Sequence, residues 1–156
     1  MIKRILFVCY GNACRSPMAE LLFEAMVSKD RSLQRAGIQV DSAGTYAVLD
    51  AATPEAIAVM AEYGLNLDGH QPRSVDSILA DWANLVLVME TRHKQEVVSQ
   101  FPKAVTKTHL LSEYVGENGD VPDPYGSGIV VYRNCAARLE LLLNKLADKL
   151  KVESIT

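Results

Sequence analysis

Val8-Cys9-Tyr10-Gly11-Asn12-Ala13-Cys14-Arg15-Ser16-Pro17 is the stretch on which the fold and the chemistry of this chain turn. The apolar run before it, Ile5-Leu6-Phe7-Val8, is short and rich in β-branched and aromatic residues, which predicts a buried strand. After it, Ser16 suits an N-cap, Pro17 the first helical position, and Glu20 lies close enough to favour the helix dipole. Met18, Leu21, Leu22, Ala25 and Met26 then recur at helical spacing. The segment therefore reads as strand, tight loop, helix. Backbone N–H groups of such a loop converge where a helix N-terminus already favours anions, so a phosphate-sized dianion fits. Cys9 closes the strand and Arg15 the loop, and a guanidinium fork suits two oxygens of one phosphate. A thiol in that field is expected to react as the thiolate. Asn12 suits the left-handed backbone that a tightly curled loop requires.

Composition narrows the alternatives. A chain of 156 residues, 49% hydrophobic and 22% charged, fits one globular domain spanning 1–156. A net charge of −3 and the lack of any Lys/Arg run argue against general nucleic-acid binding. The apolar run after Met1-Ile2-Lys3-Arg4 is too short for a signal peptide, and no segment reaches the length of a membrane span. Three cysteines do not make a disulfide framework of the secreted kind, so a cytoplasmic protein without membrane insertion is expected.

Along the rest of the chain, the first helix fades at Lys29-Asp30-Arg31-Ser32, and Ile38 and Val40 mark a short strand within Gly37–Gly44. Thr53-Pro54-Glu55 opens a helix with a buried face of Ala56, Ile57, Val59, Met60 and Tyr63, stopped by Gly64. Asn84–Glu90 is almost continuously apolar, as a parallel strand covered on both faces should be. Thr91 to Gln100 reads as a helix with Val97 and Val98 inside, and Thr106–Leu111 as a fourth strand. Pro122 and Pro124 hold Asp123 extended and exposed. Ser127 to Lys149 reads as a long helix with an apolar stripe of Val130, Val131, Tyr132, Cys135, Ala136, Leu139, Leu142, Leu143 and Leu146. Cys135 belongs to that stripe as a small hydrophobe, and residues 151–156 are expected to fray. Strands alternating with helices predict an α/β fold: a four-stranded parallel sheet, Rossmann-like, with helices on both faces. Ligands bind beyond the carboxyl ends of such strands, where Cys9 sits.

The loop resembles the signature of the low molecular weight protein tyrosine phosphatases at Cys9, Gly11, Asn12, Cys14, Arg15, Ser16 and Pro17. The resemblance implies the phosphotyrosine phosphatase I type of fold and an enzyme that hydrolyses phosphotyrosine and aryl phosphates through a cysteinyl phosphate. It needs no metal and no cofactor. Cys9 is then the nucleophile, Arg15 holds the phosphate, and Asp123, in Asp123-Pro124-Tyr125, is the general acid. The resemblance further implies substrate contacts from Tyr10, Gly11, Asn12, Ala13, Cys14, Ser16, Tyr46 and Tyr125. The Ser16 hydroxyl stabilises the thiolate, while Ser42 and His70 support the loop from behind. His93 and His109 are read as structural. A phosphotyrosine protein, with a tyrosine autokinase of capsule or exopolysaccharide export as one candidate, is the implied partner; the oligomeric state is left open.

Two features depart from that pattern. Gly126 stands where many relatives carry a second aromatic residue, which favours a bacterial-type member, and Tyr10 and Ala13 replace more usual aliphatic residues. Cys14 reads either as a space-filler or as a thiol that forms a disulfide with oxidised Cys9. The rival functions are a thioredoxin-coupled arsenate reductase, which needs further relay cysteines, and a non-enzymatic phosphate-binding redox switch, which has no need of Asp123.

Overall fold

The structure, a computed structural model, describes the backbone of residues 1–155 and the side chains of residues 1–153. Strands β1 (Arg4–Cys9), β2 (Gln39–Gly44), β3 (Leu85–Val88) and β4 (Thr108–Leu110) form one sheet. Its order is β2-β1-β3-β4, with every neighbouring pair parallel. Alternate residues of β1 serve opposite faces, as the pleat requires. Ile5, Phe7 and Cys9 join a core built with helices α1 (Arg15–Ser28), α3 (Pro54–Glu62) and α7 (Ile129–Ile155). Leu6 and Val8 join Val86 and Val88 beneath α4 (Ser77–Trp82) and α5 (Thr91–Gln100). Helices thus cover both faces. Leu139, Leu142, Leu143 and Leu146 of α7 are fully buried, so truncating any one to alanine costs about 2–5 kcal/mol.

The chain crosses from β2 over β1 to β3, so the loops after β1 and β3 diverge at the centre of the sheet. The divergence leaves a crevice at the carboxyl ends of those strands. Among the described residues, no helix is long and apolar enough to cross a membrane.

Several local readings are corrected. α1 begins at Arg15 with Cys14 as its N-cap, and Ser16 turns its hydroxyl to the Cys9 sulfur instead of capping. Three short helices carry no apolar periodicity and escape a pattern reading: α2 (Arg31–Arg35), capped by Asp30, α4, capped by Asp76, and α6 (Leu111–Tyr114). Tyr63 is exposed because α3 has ended at Glu62. Val130 lies two residues before buried Tyr132, about 200° round the helix and so on the face opposite the stripe, while Val131 sits at the stripe's edge; both are exposed. Val98 is only half-buried. The end of the chain is helical through Ile155, not frayed, and Lys151 pairs with Asp30 at 3.0 Å. Thr156 lies outside the described residues. Thr53 caps α3 through a bond from the Ala56 N–H, Gly64 takes the left-handed φ of 75° that a helix stop needs, and α5 spans Thr91–Gln100, all as expected.

Candidate active site

The loop from Cys9 to Arg15 is shaped by where its carbonyls go. Those of Cys9, Tyr10 and Ala13 accept from the N–H groups of Thr45, Tyr46 and Thr53, and that of Cys14 from Met18. The Asn12 carbonyl accepts from His70 Nε2 at 2.8 Å. With the carbonyls engaged outside the curl, the N–H groups are left for its concave side, an anion-binding nest at the start of α1. The curl passes close to Gly44, where a Cβ would meet the Tyr10 carbonyl at 2.5 Å and the Asn12 nitrogen at 2.9 Å. Only glycine fits there.

Asn12 takes the left-handed conformation, φ 54°, and turns its N–H onto Cys9 Sγ at 3.3 Å. Its side-chain amide is fully committed. Nδ2 donates to Ser16 Oγ at 2.9 Å and Ser42 Oγ at 3.0 Å, and Oδ1 accepts from the Arg73 N–H at 3.0 Å. Ser42 passes its own proton to Glu20 at 2.5 Å, so its oxygen is free to accept from Asn12. Ser16, likewise accepting from Asn12, can aim its hydrogen at Cys9 Sγ, 2.9 Å away, in preference to the Ala43 carbonyl at 3.3 Å. Glu20, Ser42, Asn12 and Ser16 therefore form a chain of oriented bonds ending on the sulfur. Burial raises the Glu20 carboxyl, and the Ser42 hydroxyl works against that rise.

Arg15 is 1% exposed. Its Nη1 donates to Glu90 Oε2 at 2.6 Å and to the Val121 carbonyl at 2.7 Å, while Nη2 lies 3.7 Å from Asp123 Oδ2. Burial opposes its charge, but Cys9, Glu90 and Asp123 outweigh that and hold the guanidinium positive. Burial likewise opposes ionisation of Glu90, and the Arg15 hydrogen bond overcomes it, keeping the carboxyl below its usual range. Asp123 is held by its own turn, with Oδ1 accepting from the Tyr125 N–H at 3.1 Å, and it stands exposed at the lip.

The pocket has a floor of Cys9, Gly11, Ala13, Cys14 and Arg15 and walls of Tyr10, Tyr46, Val48, Leu49 and Tyr125, with Asp123 on its edge. Tyr10 and Tyr46 pack with ring centroids 6.0 Å apart, and the Arg92 guanidinium sits 5.4 Å over the Tyr10 ring. Asn12 and Ser16, expected as substrate contacts, are fully buried and do not line the pocket; their side chains brace it from behind. Ser42 and His70 lie in the same bracing layer.

Cys14 lines the floor, but its thiol packs against Tyr132 Oη at 3.2 Å and Thr53 Oγ1 at 3.5 Å, and burial raises it. Burial pushes the Cys135 thiol up to about 12. All three cysteines are free. Among the described residues, no group of three or more His, Cys, Asp or Glu side chains is placed to hold a metal ion.

Sequence reasoning missed Glu90, Val48, Leu49, Arg92 and the brace from Arg73. A signal existed for Glu90, which follows the apolar strand β3 directly at its carboxyl end. Chemically, the arrangement presents a sulfur nucleophile, a fixed cation, a ring of N–H donors and a carboxyl at the mouth.

The family model described as low molecular weight phosphotyrosine protein phosphatase matches residues 4–155. A protein-arginine-phosphatase of Geobacillus stearothermophilus is 41% identical, over 98% of this chain and 99% of its own. The crystal structure of a low molecular weight protein tyrosine phosphatase from T. tengcongensis superimposes with TM-score 0.87 at 40% identity, covering 94% of this chain and 99% of that one. A structure of the arginine phosphatase YwlE, in which the active-site cysteine is replaced by a phosphorylated serine, gives TM-score 0.86 at 40% identity, covering 95% of each chain.

Proposed function

Because the chain belongs to the low molecular weight phosphotyrosine protein phosphatase family, we propose that Cys9, Arg15 and Asp123 hydrolyse phosphotyrosine in proteins through a cysteinyl phosphate. As a member the chain is an enzyme, a phosphatase. The observation that carries the reading is the position of Cys9 Sγ, which the Ser16 hydroxyl and the Asn12 N–H hold at the floor of a pocket walled by three tyrosines.

The Cys9 thiolate attacks phosphorus, forming a P–S bond as the P–O bond to the phenol breaks. Asp123 gives its proton to the departing oxygen, which would otherwise leave as a basic phenolate. Water then attacks the cysteinyl phosphate, Asp123 takes a proton from it, and the P–S bond breaks to return the thiolate and free phosphate. Loop N–H groups and Arg15 meet the charge on the transferring oxygens throughout. Ser16 and the Asn12 N–H favour the thiolate both as nucleophile and as leaving group.

A second reading is phosphoarginine, favoured by the 41% identity to a protein-arginine-phosphatase. The tyrosine rim suits either ligand, stacking on a phenyl ring or facing a guanidinium. Among the described residues lining the pocket, Asp123 is the only carboxylate available to a guanidinium, which favours the neutral aromatic substrate. Hydrolysis of one peptide sequence carrying either phosphotyrosine or phosphoarginine, assayed with chelator present, decides between them. The proposal expects the phosphotyrosine peptide to have the higher kcat/KM; the reverse order would transfer the assignment to phosphoarginine.

Arsenate reduction is not supported, since Cys135 is buried on α7 with its thiol raised and no other cysteine follows the loop. A redox switch alone leaves the placement of Asp123 beside Arg15 without a purpose. Action in the cytoplasm on a tyrosine autokinase fits the resemblance and is part of the proposal.

A further inference from the structure

His93 is buried and has so far been given no work. It sits on the first turn of α5, with Nδ1 accepting the Glu90 N–H at 3.1 Å. That bond determines its tautomer, because a nitrogen that accepts carries no proton, so the neutral ring bears its hydrogen on Nε2. Nε2 is enclosed, makes no hydrogen bond, and lies 3.5 Å from Glu90 Oε2. The same Oε2 takes the 2.6 Å bond from Arg15 Nη1. Arg92 approaches both Glu90 oxygens, with Nε 3.3 Å from Oε1 and Nη2 donating to Oε2 at 3.4 Å. One carboxylate is thus surrounded by two guanidiniums and an imidazole.

We propose that His93 is a positioning residue for the phosphatase reaction: its Nε2–H faces Glu90 from within the core and keeps that carboxylate aligned to hold Arg15 for the phosphate. Glu90 alone could swing toward Arg92, which is half-exposed and has water as a competing partner. The imidazole closes the space behind the carboxylate and presents a donor there, leaving one placement that satisfies Arg15. Burial, followed by the nearby Arg15 charge, pushes the ring down to about 4, so it stays neutral at physiological pH and adds no cation to compete with Arg15. Arg15 in turn enters the pocket with its fork fixed by Glu90 and the Val121 carbonyl. A guanidinium held in advance loses less freedom when the phosphate arrives.

The inference rests on the phosphatase reading, and its test separates the two. In His93→Asn the amide oxygen can still accept the Glu90 N–H, but nothing replaces the Nε2–H. In His93→Gln an amide nitrogen can reach the Nε2 position. Expected for His93→Asn are a roughly tenfold loss of affinity for inorganic phosphate and a similar loss of kcat/KM, with His93→Gln recovering most of both. In a Glu90→Gln background, His93→Asn should change little further, because the residue acts through Glu90. Nitrogen-15 spectra of wild type should show the Nε2–H tautomer at pH 7, a readout that survives if a variant folds poorly. Wild-type phosphate affinity and kinetics in His93→Asn would overturn the inference while leaving the phosphatase reading intact. So would equal losses in the Asn and Gln variants, or an Nδ1–H tautomer. An inactive wild type would remove the reading and the inference together.

Discussion

The floor and the rim of the pocket are built on opposite plans. On the floor and directly behind it, Asn12 and Ser16 are 0% exposed and Arg15 is 1% exposed, and each is tied by named hydrogen bonds. On the rim, the side chains of Tyr46, Val48 and Tyr125 stand in residues 59%, 65% and 61% exposed, and the Tyr46 ring packs on that of Tyr10. A buried, fully bonded polar network has one low-energy arrangement, so the floor presents the same dipoles to every substrate. An exposed apolar rim can adjust at little cost. On the proposed function, the chemistry belongs to the floor and discrimination between substrates to the rim, with Arg92 touching both through Glu90 and Tyr10.

The sharpest way to break that division is on the floor. Arg15→Lys keeps the charge but cannot hold Glu90, the Val121 carbonyl and phosphate at once. It should lower kcat/KM by about 10³-fold for every substrate alike. A loss confined to particular peptides would place Arg15 in recognition instead. Asp123→Asn comes next, with a loss of about 10²-fold on phenyl phosphate that shrinks markedly on p-nitrophenyl phosphate, whose leaving group needs little acid help. Equal losses on the two esters would deny Asp123 the role of acid.

A subtler handle is pH. His93, held at about 4 against an ordinary 6.5, refuses a proton that the unfolded chain accepts. Its contribution to stability is complete above about 6.5 and is lost as pH falls toward 4, by at most about 1.4 kcal/mol per unit. Glu24, raised to about 7 by burial and then by Glu20, acts in the opposite sense across that window. The test is therefore the difference in unfolding free energy between wild type and His93→Asn, which should fall by about 2 kcal/mol from pH 6.5 to 4.5. A constant difference would mean that His93 titrates normally. The smallest effect belongs to the rim. Tyr10→Ala and Tyr46→Ala should each raise KM by about three- to tenfold with kcat little changed, and should alter the ratio between peptides.

What could be read from sequence follows the range of the interactions. The strand, loop and helix around Cys9 are encoded within a few residues, and so is the proline-flanked turn at Asp123. The holders of that loop are not local. Glu90 reaches Arg15 across 75 residues, the Val121 carbonyl across 106, and the Arg73 N–H reaches Asn12 across 61. No periodicity reports such contacts. Val130 and Val131 show the reverse limit: their apolar type suggests the stripe, but helix geometry sets Val130 about 200° from Tyr132 on the solvent face and Val131 at the stripe's edge. His93 shows another: buried histidines are commonly structural, and only the orphaned Nε2 beside Glu90 marks this one out.

The central claim is that turnover passes through a phosphate on Cys9. Acid-quenched reactions of Asp123→Asn with p-nitrophenyl phosphate, digested and read by mass spectrometry, address it directly, because loss of the base should let the intermediate accumulate. The account predicts phosphate on the peptide containing Cys9 and none in a Cys9→Ala companion, which should also be inactive. Phosphate on any other residue, or turnover by Cys9→Ala, would contradict it.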